Sequence, residues 1–465
     1  MSLQFYNTIT QRKEKFNPIS DEIVKIYTCG PTVYNTAHIG NFRTFIFEDL
    51  LKRFLIYKGY NVYHVMNITD VDDKTIKKAK RDKKLFQELT SKYLAQFMDD
   101  IEFLNIIPAD IYPKATDHIE EMIEMITKLQ DNEIAYLSED NSVYFNLSKD
   151  KEYGRLINLN HSGLKHTERV INDEYSKDNP QDFSLWKAWT DDDGDIFWDS
   201  PWGKGRPGWH IECSAMSIKY LGEYFDIHCG GVDNIFPHHE NELAQSISVT
   251  SKPFVNYWIH SEHLHLKGDK MSKSKGNFFT IPDLISKGFL AEEIRFVILS
   301  AHYRTKLTFS LEQCSESRSA IQRISNLYNR LLNLSNGNLK IFKLPFEYKD
   351  FILALENDLD TPKAFAVFFK WIRSINTKLD NYQNIDNEDI NGGIEFLNIV
   401  DSIFGILVKD SFTPKEIHKL AIKRENFRKE NDWKAADQIR DKIFQHGWLV
   451  EDGPGGPIIK PKKSN

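Results

Sequence analysis

Two short strings carry the residue types that phosphate chemistry needs. His38-Ile39-Gly40-Asn41 falls between a strand-like run and a helix-like run, and Lys270-Met271-Ser272-Lys273-Ser274 falls in a charged, loop-like stretch. The first N–H groups of a helix lack intrahelical partners and the positive end of its dipole points outward, so phosphates bind there. Gly40 lets a nucleotide approach the backbone closely. Lys270 and Lys273 can neutralise the charge that develops on a departing pyrophosphate. Taken singly, each string also has an ordinary reading, a plain capped helix start or a solvated Lys-Ser loop. Together, in this order on a βαβ frame, they fit one function, nucleotide activation.

Metal chemistry is a second possibility. Cys213 lies in Gly208-Trp209-His210-Ile211-Glu212-Cys213, and His238 and Glu242 stand four residues apart, so a helix would point both the same way. Cys29 ends the first strand-like run, beside the nucleotide motif. Two thiolates, one imidazole and one carboxylate suit Zn²⁺. The four are scattered, and spacing by itself leaves buried free cysteines and a hydrogen-bonded histidine as the alternative.

The elements that must position these groups can be read from periodicity. Val24–Thr28 is β-branched or aromatic and ends at Cys29-Gly30-Pro31. From about Ala37 to Tyr57, Phe42, Phe45, Ile46, Leu50, Phe54 and Leu55 recur at helical spacing. Asn61 to Thr69 reads as the next strand. That βαβ unit seeds a parallel, doubly wound sheet, which binds nucleotides at the carboxyl ends of its strands. Residues 115–200 read as an insertion, with a helix near Asp117–Gln130, short strands at Ala135–Leu137 and Val143–Phe145, and a charged loop at Lys165–Gln181. The βα pattern returns from Pro207 to Ser248. From about Leu311 the pattern is helical, with Asp360-Thr361-Pro362 as one helix start.

Composition narrows the class. The chain has 465 residues, 41% hydrophobic and 27% charged, which supports several packed cores and excludes intrinsic disorder. Its net charge of −7 argues against a polybasic membrane binder. Residues 411–465 hold 12 Lys and Arg against 8 Asp and Glu, a net +4, so a polyanion would meet the chain there. Four cysteines are too few for a disulfide scaffold. With no signal-peptide pattern and no long apolar run, a cytoplasmic protein with reduced thiols and no membrane partner is expected.

The motifs resemble those of class I aminoacyl-tRNA synthetases. HIGN is similar to their HIGH signature, with Asn41 at the last position, and KMSKS matches in full. Cys-Gly-Pro-Thr-Val-Tyr from Cys29, Asn67-Ile68-Thr69-Asp70, Gly208 to Met216, Asp226-Ile227-His228 and Pro237 to Glu242 resemble the cysteinyl-tRNA synthetase family within that class. The similarity runs from about residue 5 to 460.

The resemblance implies cysteine activation by ATP, then transfer to the 3′ end of tRNA(Cys), with one Zn²⁺ per chain selecting the thiol and Mg²⁺ accompanying ATP. Zinc ligands fall on Cys29, Cys213, His238 and Glu242; cysteine contacts on Thr69, Trp209 and His228. His38, Asn41, Lys270 and Lys273 take the chemical step, while Gly40, Asp233, Ser272 and Ser274 hold ATP. Arg428, Trp433, Asp437 and Asp452 match positions near the anticodon. For Trp433 a core tryptophan is the alternative, and for the aspartates surface charges or caps. Cys229 departs from the family, where a glycine is common, and is expected to be a bystander. A monomer is expected.

The implied fold class is a Rossmann-like α/β catalytic domain with a parallel sheet (1–114 and 201–260), interrupted by the 115–200 insertion. A KMSKS-bearing region (261–310), an α-helical bundle (311–410) and a small anticodon-binding domain (411–465) follow. Three rivals are a ligase passing activated cysteine to an amino-sugar amine, a zinc-dependent hydrolase using Cys213, His238, His239 and Glu242, and a non-catalytic tRNA-binding protein. The tail argues against the first; KMSKS is unexplained by the second; two intact ATP motifs disfavour the third.

Overall fold

The run Val24–Thr28 is an inner strand of a four-stranded parallel sheet, flanked by Val62–Met66 on one side and Phe225–Gly231 on the other, with Val255–Ser261 at the far edge. The computed structural model describes residues 2–157, 182–266, 278–335, 341–381, 385–408, 415–430, 432–446, 448–453 and 456–461. The chain forms two compact units, Met1–Ile406 and Leu407–Asn465.

Strand order fixes where a ligand can bind. From Val24–Thr28 the chain crosses to Val62–Met66; Phe225–Gly231 then pairs on the opposite side. The strand order thus reverses between Val24–Thr28 and Phe225–Gly231, and a crevice opens at their carboxyl ends. Cys29, Gly230 and Gly231 lie there.

The helix Ile39–Tyr57 follows the first strand, and most of its circumference is buried, which explains its weak amphipathicity. Its buried charges are paired. Asp49 Oδ2 accepts from Arg53 Nε at 2.7 Å and from Arg295 Nη2 at 2.6 Å, and Arg295 Nε donates to the Phe404 carbonyl at 2.8 Å. A buried pair of this kind is costly to break from one side, so it fixes the helix between the sheet and the later helices.

The insertion carries its own antiparallel sheet, in the order Ala135–Leu137, Val143–Phe145, Phe183–Ala188, Gly205–Pro207. Its last strand lies beyond residue 200, in the stretch the sequence reading gave to the catalytic domain. The expected loop at 165–181 lies outside the described residues. Beyond the main sheet, Leu264–Leu266 pairs in parallel with Leu307–Phe309. Four helices follow: Leu311–Leu334, Glu347–Glu356, Thr361–Asp380 and Asn387–Phe404. Asp360 caps the third as expected, its side chain accepting from Lys363 N at 3.1 Å.

The second unit packs the helices Lys415–Lys429 and Trp433–Gln445 against a hairpin of Trp448–Gly453 and Gly456–Pro461, around Ile417, Ala421, Ile439, Ile443 and Val450. The expected linker at 411–414 lies outside the described residues. Among the described residues no helix is long and apolar enough to cross a membrane.

Candidate active site and metal centre

The His38 motif forms a reciprocal cap. His38 Nδ1 accepts from Asn41 N at 3.2 Å, and Asn41 Oδ1 accepts from His38 N at 3.0 Å. This capping box uses the carbonyl oxygen of Asn41, not its NH₂ donors. Ile39 N donates to the Phe279 carbonyl at 2.8 Å and Asn41 N points back to His38. Among the described residues, the Gly40 N–H is then the first-turn donor left for an anion. Phe278 meets the His38 ring edge-on at 5.3 Å, and Thr280 bridges to His38. The chain emerging from the 267–277 segment is thereby seated on the helix start. Lys270, Ser272, Lys273 and Ser274 lie outside the described residues.

A cavity of about 420 Å³ opens over this helix start and the strand ends. Its walls include Cys29, Gly30, His38, Gly40, Asn41, Thr69, Trp209, Cys213, Asp233 and His238. Nucleotide-competent and metal-competent groups therefore share one space. Close approach at two glycines shapes it. A Cβ on Gly30 would lie 1.7 Å from the Asn67 carbonyl oxygen, and one on Gly231 would lie 2.4 Å from Asp233 Oδ1.

Four side chains from distant parts of the chain converge behind the cavity. Cys29 ends the first strand; Cys213 lies on the helix Trp209–Leu221; His238 lies in the wide turn Ile235–His239; Glu242 is in the following helix, Glu240–Thr250. One donor atom from each lies within 4.8 Å of the other three. His238 Nε2 is 3.1 Å from Glu242 Oε1, as the four-residue spacing predicts. A second quartet, Cys29, His228, His239 and Glu242, meets the same distance criterion. Two observations separate them. The first set has two thiols, the donors zinc prefers. It also lines the cavity through Cys29, Cys213 and His238, whereas the second does so through Cys29.

The electrostatics fit a cation. Burial pushes the Cys29 thiol and the Glu242 carboxyl well above their ordinary ranges, and raises Cys213. Burial also depresses His238 well below the usual imidazole range, which keeps it neutral. A neutral imidazole is ready to ligate, and a bound dication would remove the thiol and carboxyl protons. The other nitrogen, His238 Nδ1, lies 2.8 Å from His210 Nδ1, which fixes the ring.

The expected cysteine contacts divide. Thr69 Oγ1 donates to Glu212 Oε2 at 2.9 Å and accepts from Asn67 Nδ2 at 3.2 Å, and Trp209 lies against His238; both line the cavity. His228 is fully buried and absent from the wall. Its Nε2 lies 2.9 Å from Glu242 Oε2, and its ring stacks on Trp258 at 4.7 Å. It stands behind Glu242, one contact further from the cavity than the metal-competent quartet. Cys229 is buried in its strand and belongs to neither quartet.

The sequence reading assigned no role to His210, His260, Asn67 or Glu212. His210 bonds His238, Asn67 and Glu212 bond Thr69, and His260 joins through His239, whose Nε2 is 3.2 Å from Cys29 Sγ and whose Nδ1 is 2.8 Å from His260 Nε2. The consecutive His238-His239 pair was the available signal.

In the second unit Trp433 is 55% exposed, which removes the core-tryptophan alternative. The Arg428 guanidinium lies 5.2 Å from its ring centroid. Asp437 pairs with Arg440 at 3.1 Å on the same helix. Asp452 lies in the first strand of the hairpin.

A family model described as the catalytic domain of class I (C) tRNA synthetases matches residues 15–319, and a DALR domain model matches 350–408. The chain is 47% identical over 476 residues to a cysteine–tRNA ligase of Chlamydia trachomatis, covering 99% of this chain and 100% of that one. It is 47% identical to a cysteine–tRNA ligase of Brachyspira hyodysenteriae, covering 98% and 99%. Among solved structures it is similar to Mycobacterium tuberculosis methionyl-tRNA synthetase in complex with methionyl-adenylate, with a TM-score of 0.62 at 14% identity over 83% of this chain and 92% of that one. That likeness concerns the fold.

Proposed function

This chain belongs to the cysteine–tRNA ligase family of class I aminoacyl-tRNA synthetases, and on that premise we propose how its residues divide the work. The enzyme activates L-cysteine with ATP to cysteinyl-adenylate and pyrophosphate, then passes the cysteinyl group to the terminal ribose of tRNA(Cys). The observation that carries the assignment of parts is the sharing of one cavity by the His38 helix start and by Cys29, Cys213 and His238 of the quartet that Glu242 completes.

Cys29, Cys213, His238 and Glu242 would hold zinc, which would supply a soft Lewis acid that favours a thiolate over a hydroxyl. Serine and cysteine are nearly isosteric, so shape alone separates them poorly. Trp209 and Thr69 wall the amino-acid end, and Glu212 with Asn67 fixes the Thr69 hydroxyl. Gly40 N–H and the NH₂ of Asn41 meet the nucleotide phosphates, with Asp233, Ser272 and Ser274 also on the ATP side. Cysteine's carboxylate attacks the α-phosphate, and the bond to pyrophosphate breaks. Lys270 and Lys273 neutralise the charge leaving with it. The carboxylate is already a nucleophile, so no general base is needed; the chain's task is positioning. ATP brings Mg²⁺.

Arg428, Trp433, Asp437 and Asp452 would read the anticodon. Exposed Trp433 supports a stacking role, and carboxylates can accept from base amino groups. We place the enzyme in the cytoplasm as a monomer. The test is cysteine-dependent ATP–pyrophosphate exchange against all twenty amino acids, followed by charging of total tRNA. Exchange with another amino acid in preference to cysteine would reject the reading.

A further inference from the structure

A second cavity, of about 510 Å³, adjoins the first, and Thr32, Lys74, Trp209 and Asp233 line both. Its far wall is the insertion's sheet, through Ser184, Lys187 and Arg206. Two of its cations are committed. Lys187 Nζ lies 2.8 Å from Asp73 Oδ2; Arg206 pairs with Asp73 through Nη2 and lies 3.1 Å from Asp193 through Nε. Lys74 differs. Its side chain is exposed, its ammonium stands 5.8 Å from the Tyr34 ring centroid, and it makes no ion pair with a described residue. Neighbouring Asp73 already faces two cations, so Lys74 keeps its charge for something else.

We propose that Lys74 is a positioning residue for the transfer step, holding the terminal phosphodiester of the acceptor strand where the two cavities meet. This rests on the reading that the chain charges a tRNA. During transfer the adenylate occupies the first cavity, and the second cavity, which shares its wall, offers the strand a contiguous way in. The terminal ribose oxygen forms the ester bond to the cysteinyl carbonyl carbon. The bond from that carbon to the AMP phosphate oxygen breaks, the electron pair leaves with AMP, and the hydroxyl proton passes to the departing phosphate. Lys74 exchanges no proton; it supplies fixed positive charge to the strand's last phosphate. Its helix, Asp73–Asp82, is tied to the insertion by Asp73, which pairs with Lys187 and Arg206.

The phosphate has two possible sources, the acceptor strand or ATP, and the two half-reactions separate them. The full-length, metal-loaded enzyme is compared with Lys74→Ala, Lys74→Gln and Lys74→Arg. Pyrophosphate exchange should stay within roughly twofold, while single-turnover transfer from preformed cysteinyl-adenylate should fall about tenfold, the worth of one charge-assisted contact. The plot of log kcat/KM for tRNA against log salt should become shallower by about 0.7, one single-strand phosphate contact. Lys74→Arg should restore most of both. Equal losses in exchange and transfer would give the phosphate to ATP and overturn the proposal, as would an unchanged salt slope. An unsubstituted enzyme that fails to activate cysteine would instead overturn the proposed function, leaving the two failures distinct.

Discussion

The indole of Trp209 lies over the imidazole of His238, with ring centroids 4.1 Å apart and planes 21° from parallel. Trp209 is 42% exposed and His238 1%. One aromatic side chain thus both walls the cavity and shields a metal-competent nitrogen base from water. Trp209→Ala should weaken metal retention by about tenfold, the usual cost of losing an outer-shell support, and Trp209→Phe should keep most of it. Competition with a coloured chelator measures both.

One Zn²⁺ per chain should accompany the purified protein and be lost in Cys213→Ser. Cys229→Ser should keep it, since Cys229 belongs to neither quartet. Elemental analysis of the two variants side by side decides, and active protein without zinc would end the assignment.

Lys273→Ala should slow pyrophosphate exchange while leaving cysteine binding nearly unchanged. Its charge matters when pyrophosphate departs, so the loss belongs in turnover. Exchange kinetics with equilibrium binding of cysteine separate the two effects.

Trp433→Ala should leave the melting temperature nearly unaltered, because the side chain is exposed. Charging should weaken by on the order of 1–3 kcal/mol if a base stacks there. Exchange should not change. Normal charging would remove Trp433 from the anticodon site.

Asp100 is buried on the helix Phe86–Phe103, with Oδ2 unpartnered among the described residues, and burial pushes its carboxyl up to about 6. A folded-state value above the unfolded one means that the folded state holds the proton more tightly. The resulting stability is full below the unfolded value and is lost as pH rises toward and through about 6. Asp100→Asn should therefore stabilise the protein at pH 8 by on the order of 1 kcal/mol and much less at pH 4. Denaturant melts at the two pH values test the sign.

Local pattern carried much of the framework. Val24–Thr28 was legible residue for residue, and the following helix begins two positions later than its periodicity suggested because His38 caps it from outside. His238 and Glu242 were legible as a helical pair. The proximity of Cys29 and Cys213 was not, since it depends on how the helix Trp209–Leu221 packs against a strand far from it in sequence. Periodicity also could not separate His238 from His239: the wide turn at Ile235–His239, with Phe236 outside helical geometry, directs one toward His210 and the other toward His260. His228, expected at the substrate, lies behind Glu242 because the strand Phe225–Gly231 is buried on both faces.

The central sheet takes two strands from before the insertion and two from after it. On a ribosome adding about 5–20 residues per second, Val24–Thr28 and Val62–Met66 wait on the order of ten seconds for Phe225–Gly231 to be synthesised. A nascent chain halted within the insertion holds Cys29 and the His38 helix start but lacks Cys213, His238 and Glu242. It can capture neither metal nor thiol in the arrangement described above. The four donors therefore cannot come together before Glu242 has been synthesised, and a product aborted within the insertion lacks three of them.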